Sequence, residues 1–184
     1  MYRLISLRRN RLIREAFYCI LECRKPVIAA VNGAALGAGF CMMTCCDILL
    51  AAENALFGMP EIDVGLAGGF GFLHRFLPQS KVRRLLLTGE RIPASELYRL
   101  GVLEACLPAE ELMPAAMQLA TQIAAKSPVA VRMLKESFNP VENLSLRDAY
   151  RLEQNATVQL SKSVDAQEAQ RAFIEKRQAR FVGR

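Results

Sequence analysis

The chain lacks tryptophan and has one histidine, His74, and only 7% of its 184 residues are aromatic. Aromatic platforms on which single-stranded nucleic acid could stack are therefore scarce. Since no serine is recognisably paired with His74, the sequence gives no signal of a serine–histidine nucleophile. Its longest apolar stretch, residues 26–44, is interrupted by Asn32 and by glycines. We therefore expect no membrane span.

The six cysteines are too few for a disulfide-dense scaffold, and none forms part of a zinc-like set of ligand pairs. Most lie among apolar residues, where a free thiol behaves as a small hydrophobic group. We expect reduced core thiols, no metal site and a cytoplasmic location. They are Cys19, Cys23, Cys41, Cys45, Cys46 and Cys106.

Basic residues exceed acidic residues by 24 to 18, which gives a net charge of +6. This surplus is compatible with an anionic partner, either a nucleic acid or a small molecule that carries phosphate, although composition alone favours a merely solvated basic surface. The 52% hydrophobic content excludes a disordered chain.

The first third of the chain alternates strand and helix patterns, and the part beyond Pro108 is almost wholly helical. We predict an α/β fold with a parallel sheet and a helical C-terminal lobe, divided into residues 1–108 and 109–184. Predicted strands are 27–31, 47–52, 55–58 and 102–107, and predicted helices are 12–23, 38–45, 81–87, 94–100, 112–126, 128–138, 145–161 and 165–180. We expect a loop from Met59 to Gly71, Pro128 in the first turn of its helix, and Ser145 and Asp165 as N-caps.

The most informative segment is the glycine-rich turn at Gly37, Ala38 and Gly39. It joins a buried strand to a helix, so unpaired backbone N–H groups lie at a positive helix end. Such a turn can hold a phosphate or polarise a carbonyl oxygen. Tight helix–strand packing explains the small residues equally well, and the spacing is neither a dinucleotide fingerprint nor a P-loop.

Several separated motifs resemble the crotonase superfamily, the enoyl-CoA hydratase/isomerase proteins. They are KPVIAAVNGAALGAGF, CDILLAAENALFGMPEIDVGL, LLLTGERIPASELYRLGVL and QRAFIEKRQARFVGR. The resemblance implies a superhelix of ββα units, assembly as homo-trimers or hexamers, and a coenzyme A thioester as substrate without a further cofactor. Compared with the family pattern, we expect this chain to lack the usual N-terminal portion, which carries a second oxyanion N–H donor.

The resemblance also implies roles for single residues. The N–H of Ala38 would bind the thioester oxygen, and Glu61, in a Pro-Glu dipeptide, would be the general acid and base. The nearby Asp63 is expected to face solvent. Implied substrate-binding residues are Gly37, Gly39, Gly69, Phe173 and Lys176.

One departure from the family pattern bears on the reaction, because Cys41 occupies the place of a second glutamate. Its apolar neighbours should raise the pKa of the thiol, so we expect a packing role. A single carboxylate favours double-bond isomerisation over hydration, whereas the motif set as a whole is more like that of hydratases, so both reactions stay open. The alternative is a non-catalytic crotonase-like subunit that binds acyl-CoA or serves assembly. We expect partners to be acyl-CoA and copies of this chain, not nucleic acid or a membrane.

Overall fold

A computed structural model describes residues 2–184, with side chains from Arg8 onward. The described chain divides into two compact units. Of the described residues, unit one comprises 2–23 and 27–118, and unit two comprises 24–26 and 119–184. The division therefore falls inside a helix, ten residues beyond the sequence-based boundary at 108. The oligomerisation and coenzyme-capping roles expected of the second part stay predictions.

One three-stranded sheet of unit one is wholly parallel. It consists of β1 (Ile28–Val31), β3 (Ile48–Ala52) and β6 (Ala105–Leu107), in the order β1-β3-β6. Ile28 lies opposite Ile48, and Leu50 lies opposite Ala105. These strands confirm the predicted runs, except that the last begins three residues later than expected.

The second sheet of unit one is mixed, and only the parallel one was predicted from the sequence. It contains β2 (Ala34–Leu36), β4 (Leu56–Gly58) and β5 (Arg91–Pro93). β2 pairs with β4 in parallel, whereas β5 pairs with β4 in antiparallel fashion. β2 and β5 have three residues each, too few to show an alternating pattern.

The helices of unit one precede, separate and follow these strands, and the last of them crosses the unit boundary. The expected loop from Met59 to Gly71 contains a short 3₁₀ helix and one turn of α-helix instead. The first helix begins ten residues before its expected start at Leu12. The elements are α1 (Tyr2–Leu21), α2 (Ala38–Met43), the 3₁₀ helix Pro60–Val64, α3 (Phe70–Leu73), α4 (Gln79–Thr88), α5 (Ala94–Arg99) and α6 (Ala109–Ala124), which crosses into unit two.

The core of unit one packs around two phenylalanines that are completely buried, Phe40 of α2 and Phe57 of β4. Their ring centroids lie 5.4 Å apart. A second aromatic pair joins α1 to α3. The rings of Phe17 and Phe72 meet edge to face, with their centroids 5.2 Å apart. Burial of such rings dominates core energetics, so α2 starts from a firmly packed position.

Unit two contains α7 (Pro128–Val141), α8 (Leu146–Leu160) and α9 (Val164–Ile174). Pro128 stands in the first turn of α7 and Ser145 caps α8, as predicted. Two expectations for α9 are wrong. Its N-cap is Ser163 rather than Asp165, and it ends at Ile174 rather than near Arg180 because the backbone turns left-handed at Lys176, with φ of 53°.

Two kinds of site are missing from residues 2–184. No helix there is both long enough and apolar enough to cross a membrane. Nor does this part of the chain bring together three or more histidine, cysteine or acidic side chains that could hold a metal ion.

Candidate active site

The turn between β2 and α2 is built on Gly37. Its backbone has φ of 55° and ψ of −119°, a conformation that essentially only glycine adopts. The Gly37 N–H donates to the carbonyl of Gly58 at 2.9 Å, and the Gly37 carbonyl accepts from the N–H of Cys41 at 3.1 Å. These two bonds fix the turn to the end of β4 and set the direction in which α2 starts.

The first amides of α2 point away from any helical acceptor, as the first turn of every helix requires. Within the part of the chain that the structure describes, the N–H groups of Ala38 and Gly39 have no hydrogen-bond acceptor, and both residues are exposed. The amide that the sequence predicted as a donor is therefore available to an incoming oxygen.

Glu61 lies directly against this turn. It occupies the first turn of the 3₁₀ helix, after Pro60, and a β-carbon on Gly37 would overlap its Oε1. Its other oxygen, Oε2, is buried and accepts no hydrogen bond from the described residues. Because a buried carboxylate oxygen without a partner is unfavourable, such groups call for a functional explanation.

Gly69 brings a second segment to the same place. Its φ is 87°, and a β-carbon there would overlap Cε of Met59 and lie 3.1 Å from Sγ of Cys41. The glycine thus lets the loop before α3 approach α2 closely. Sequence reasoning named Gly69 but missed Met59 and the contact between Glu61 and Gly37, because side-chain placement in a loop has no periodic signal.

Cys41 is 4% exposed, and burial, followed by the charges of Glu61 and Cys45, raises the pKa of its thiol to about 11. The thiol is therefore protonated at neutral pH and is a poor base or nucleophile. This confirms the direction predicted from its apolar neighbours. Cys41 fills space beside the carboxylate, and its carbonyl accepts a hydrogen bond from Thr44 Oγ1 at 2.8 Å.

Other residues that the sequence singled out lie elsewhere. Asp63 is exposed, and its carboxylate lies against Gly89 at the end of α4, as its expected solvent-facing role implies. Phe173 and Lys176 belong to unit two, where both are exposed. The structure therefore brings Gly37, Ala38, Gly39, Glu61 and Gly69 together within unit one.

Comparisons with known proteins identify the family of this chain. The family model for enoyl-CoA hydratase/isomerase matches residues 10–184. The chain belongs to that family. A crotonyl-CoA hydratase from Syntrophomonas wolfei is 37% identical over 174 residues, which cover 93% of this chain and 67% of the relative. A carnitinyl-CoA dehydratase from Proteus mirabilis is 37% identical over 90% of this chain and 66% of its own length.

Solved structures confirm the crotonase fold. The crystal structure of an enoyl-CoA hydratase from Bacillus anthracis matches with a TM-score of 0.91 and 32% identity, covering 95% of this chain and 69% of that one. This chain thus spans about two thirds of the length of the two relatives. The predicted enoyl-CoA hydratase/isomerase type is confirmed at the level of the family, and the alternative of a non-catalytic subunit is not favoured.

Proposed function

We propose that this chain binds the coenzyme A thioester of an unsaturated acid and moves a proton along its acyl chain. Ala38 is the oxyanion donor, and Glu61 is the acid and base. The observation that carries the proposal is the buried, unpartnered Oε2 of Glu61, held against the glycine that begins α2.

The chemistry follows from these groups. A thioester oxygen that accepts from the Ala38 N–H gains negative charge more easily, which favours removal of a proton from the adjacent α-carbon. Glu61 takes that proton and leaves a dienolate in a β,γ-unsaturated substrate. Returning the same proton to the γ-carbon gives the α,β-unsaturated thioester, so neither charge nor atoms change overall.

Cys41 favours isomerisation over hydration as the reaction. Its buried thiol stays protonated, since its pKa is raised to about 11, so it does not serve as a second base beside Glu61. Hydration, in which water adds across the double bond, is the second candidate because relatives are named as a hydratase and a dehydratase.

The same proposal covers the substrate-binding residues and the assembly of the protein. Gly37, Gly39 and Gly69 let substrate approach the backbone, and Phe173 and Lys176 contact the coenzyme, whose phosphates suit a chain with a net charge of +6. We also propose a cytoplasmic homo-trimer or hexamer that acts in fatty acid metabolism, needs no further cofactor, and has neither a nucleic acid nor a membrane as partner.

The test compares Glu61→Gln with Asp63→Asn, which neutralises a carboxylate two residues away that faces solvent. Turnover of a β,γ-unsaturated acyl-CoA and of crotonyl-CoA is measured for both. Glu61→Gln should lower kcat by about 10²–10⁴-fold, whereas Asp63→Asn should stay close to the parent. Equal turnover in the parent and Glu61→Gln would remove Glu61 from the mechanism, and the ratio of the two substrates separates isomerisation from hydration.

A further inference from the structure

The end of α9 carries a lysine where helices usually have glycine. Lys176 is the one non-glycine residue with positive φ in the described chain. Its N–H donates to the carbonyl of Phe173 at 3.2 Å, and the N–H of Arg177 donates to Ala172 at 3.0 Å. This pair of bonds is a Schellman motif, whose left-handed position favours glycine or asparagine. A strained residue at that place suggests a function for its side chain.

A first carboxylate on α9, that of Asp165, holds the chain that follows this turn. Asp165 is completely buried, and its Oδ1 accepts from the N–H groups of Val182 and Gly183 at 2.8 and 3.1 Å. Its own N–H donates to the carbonyl of Arg184 at 3.1 Å. Segment 177–184 thus runs back along α9 and is fixed at the helix start, where Ser127 Oγ also donates to Asp165.

A second carboxylate, one helical turn further along α9, holds the beginning of the same segment. Glu168 accepts both guanidinium N–H groups of Arg177, at 2.6 and 3.1 Å. It also accepts the backbone N–H of Arg180 at 2.9 Å. The two parallel hydrogen bonds fix the orientation of the Arg177 side chain as well as its position. They therefore restrain the backbone of Lys176, which precedes it.

The two basic residues at this turn, Lys176 and Arg177, differ in their acidic partners. Arg177 is paired with Glu168 and with Glu175. Lys176 is exposed, and its ammonium has no acidic partner within the described residues. The turn therefore neutralises its arginine internally and presents its lysine to solvent, which is the arrangement that an external anion requires.

We propose that Glu168 and Asp165 are positioning residues. By holding segment 177–184 along α9, they fix Lys176 in its left-handed turn, so that its ammonium is presented to a phosphate group of coenzyme A. This inference rests on the proposed function, because it takes Lys176 to bind the coenzyme. It adds that affinity depends on two carboxylates that carry the same sign of charge as the ligand and would otherwise repel it.

The experiment measures the Kd of coenzyme A itself by calorimetry, so that it does not depend on turnover. The proteins are the parent, Lys176→Met, Glu168→Gln and the double variant, with Lys162→Met and Glu153→Gln as exposed controls in unit two. We expect Lys176→Met to weaken binding about tenfold and Glu168→Gln about threefold to fivefold. In the double variant Glu168→Gln should add nothing, because its effect acts through Lys176.

Three outcomes overturn the inference. They are a Kd in Glu168→Gln equal to that of the parent, an effect of Glu168→Gln that adds fully to that of Lys176→Met, and tighter binding once the negative charge is removed. If the parent itself neither binds coenzyme A nor turns over an acyl-CoA, the proposed function has failed, which is a distinguishable result.

A second variant separates ligand binding from a purely structural role of the lysine. Lys176→Gly places the preferred residue in the left-handed position, so we expect the Tm to rise by about 2–4 °C while binding weakens as in Lys176→Met. If Lys176 served only the helix end, Lys176→Gly would leave the Kd unchanged.

Discussion

Among the helix ends of the described chain that have positive φ, two are occupied by residues of opposite kinds. At the start of α2, Gly37 has no side chain because the carboxylate of Glu61 occupies the space where a β-carbon would be. At the end of α9, Lys176 keeps a long charged side chain in a conformation that glycine would adopt more easily. A positive φ thus serves close approach in unit one and, in our proposal, presentation of a charge in unit two.

The largest effect should come from filling the space at the first of these ends. Gly37→Ala would place a methyl group on Oε1 of Glu61 and force alanine into a glycine-only conformation. We expect at least about a 100-fold loss of acyl-CoA turnover, because Glu61 must move.

The matched control for this change is Gly33→Ala, four residues earlier, where a β-carbon would meet nothing within 4 Å. Its turnover should stay within about threefold of the parent, because surface changes of this kind are usually small. If both variants lost turnover equally, crowding of Glu61 would not be the cause.

The next effect should be on stability, at the start of α9, where Asp165 holds the segment that follows Lys176. Asp165→Asn replaces the charged acceptor of Ser127, Val182 and Gly183 by a neutral amide at a completely buried position. We expect the free energy of unfolding to fall by about 3 kcal/mol, measured by urea unfolding of the full chain. Asp148→Asn, at the exposed cap of α8, should cost less than about 1 kcal/mol, and equal losses would contradict the central role of Asp165.

The pH dependence of stability also tests the role of Asp165. Hydrogen bonds from Ser127, Val182 and Gly183 outweigh burial and lower the pKa of Asp165 below its ordinary value of 3.8. A carboxyl whose pKa is lower in the folded state stabilises the fold above the unfolded value and loses that contribution as the pH falls through the folded value. The parent should therefore lose stability more steeply than Asp165→Asn below about pH 4, and parallel curves would show that Asp165 is not responsible.

The smallest effect should come from the thiol beside Glu61. Because the pKa of Cys41 is raised to about 11, its thiol takes no part in proton transfer, and Cys41→Ala should keep kcat within about threefold of the parent. Cys45→Ala, which removes a buried thiol two residues beyond the end of α2, is the control for lost packing. A loss of more than about 100-fold in Cys41→Ala alone would make the thiol a participant in the chemistry.

The sequence predicted much of this arrangement, for identifiable reasons. Strands β1 and β3 are continuous apolar runs, which give a strong signal, and the small residues around Ala38 indicated the start of α2. β2 and β5 were missed because strands of three residues depend on pairing with distant segments. Asp165 was taken for a cap because its partners lie in the segment that follows α9, and local pattern does not show such contacts.

The candidate site was likewise predicted only in part from the sequence. Ala38 and Glu61 were named from motif and position, and the structure places both at one turn. The reason that Gly37 must be glycine, the overlap with Glu61, depends on a contact between residues 24 positions apart and emerges only from the fold.

Exchange of the α-hydrogens of a saturated thioester, butyryl-CoA, with deuterium from solvent tests the central claim most directly. This exchange needs only an oxyanion donor and one base, and it is independent of whether the enzyme hydrates or isomerises. We predict that the parent and Asp63→Asn incorporate deuterium at the α-carbon and that Glu61→Gln does not. Equal incorporation in Glu61→Gln would contradict the account, since another group would then be moving the proton.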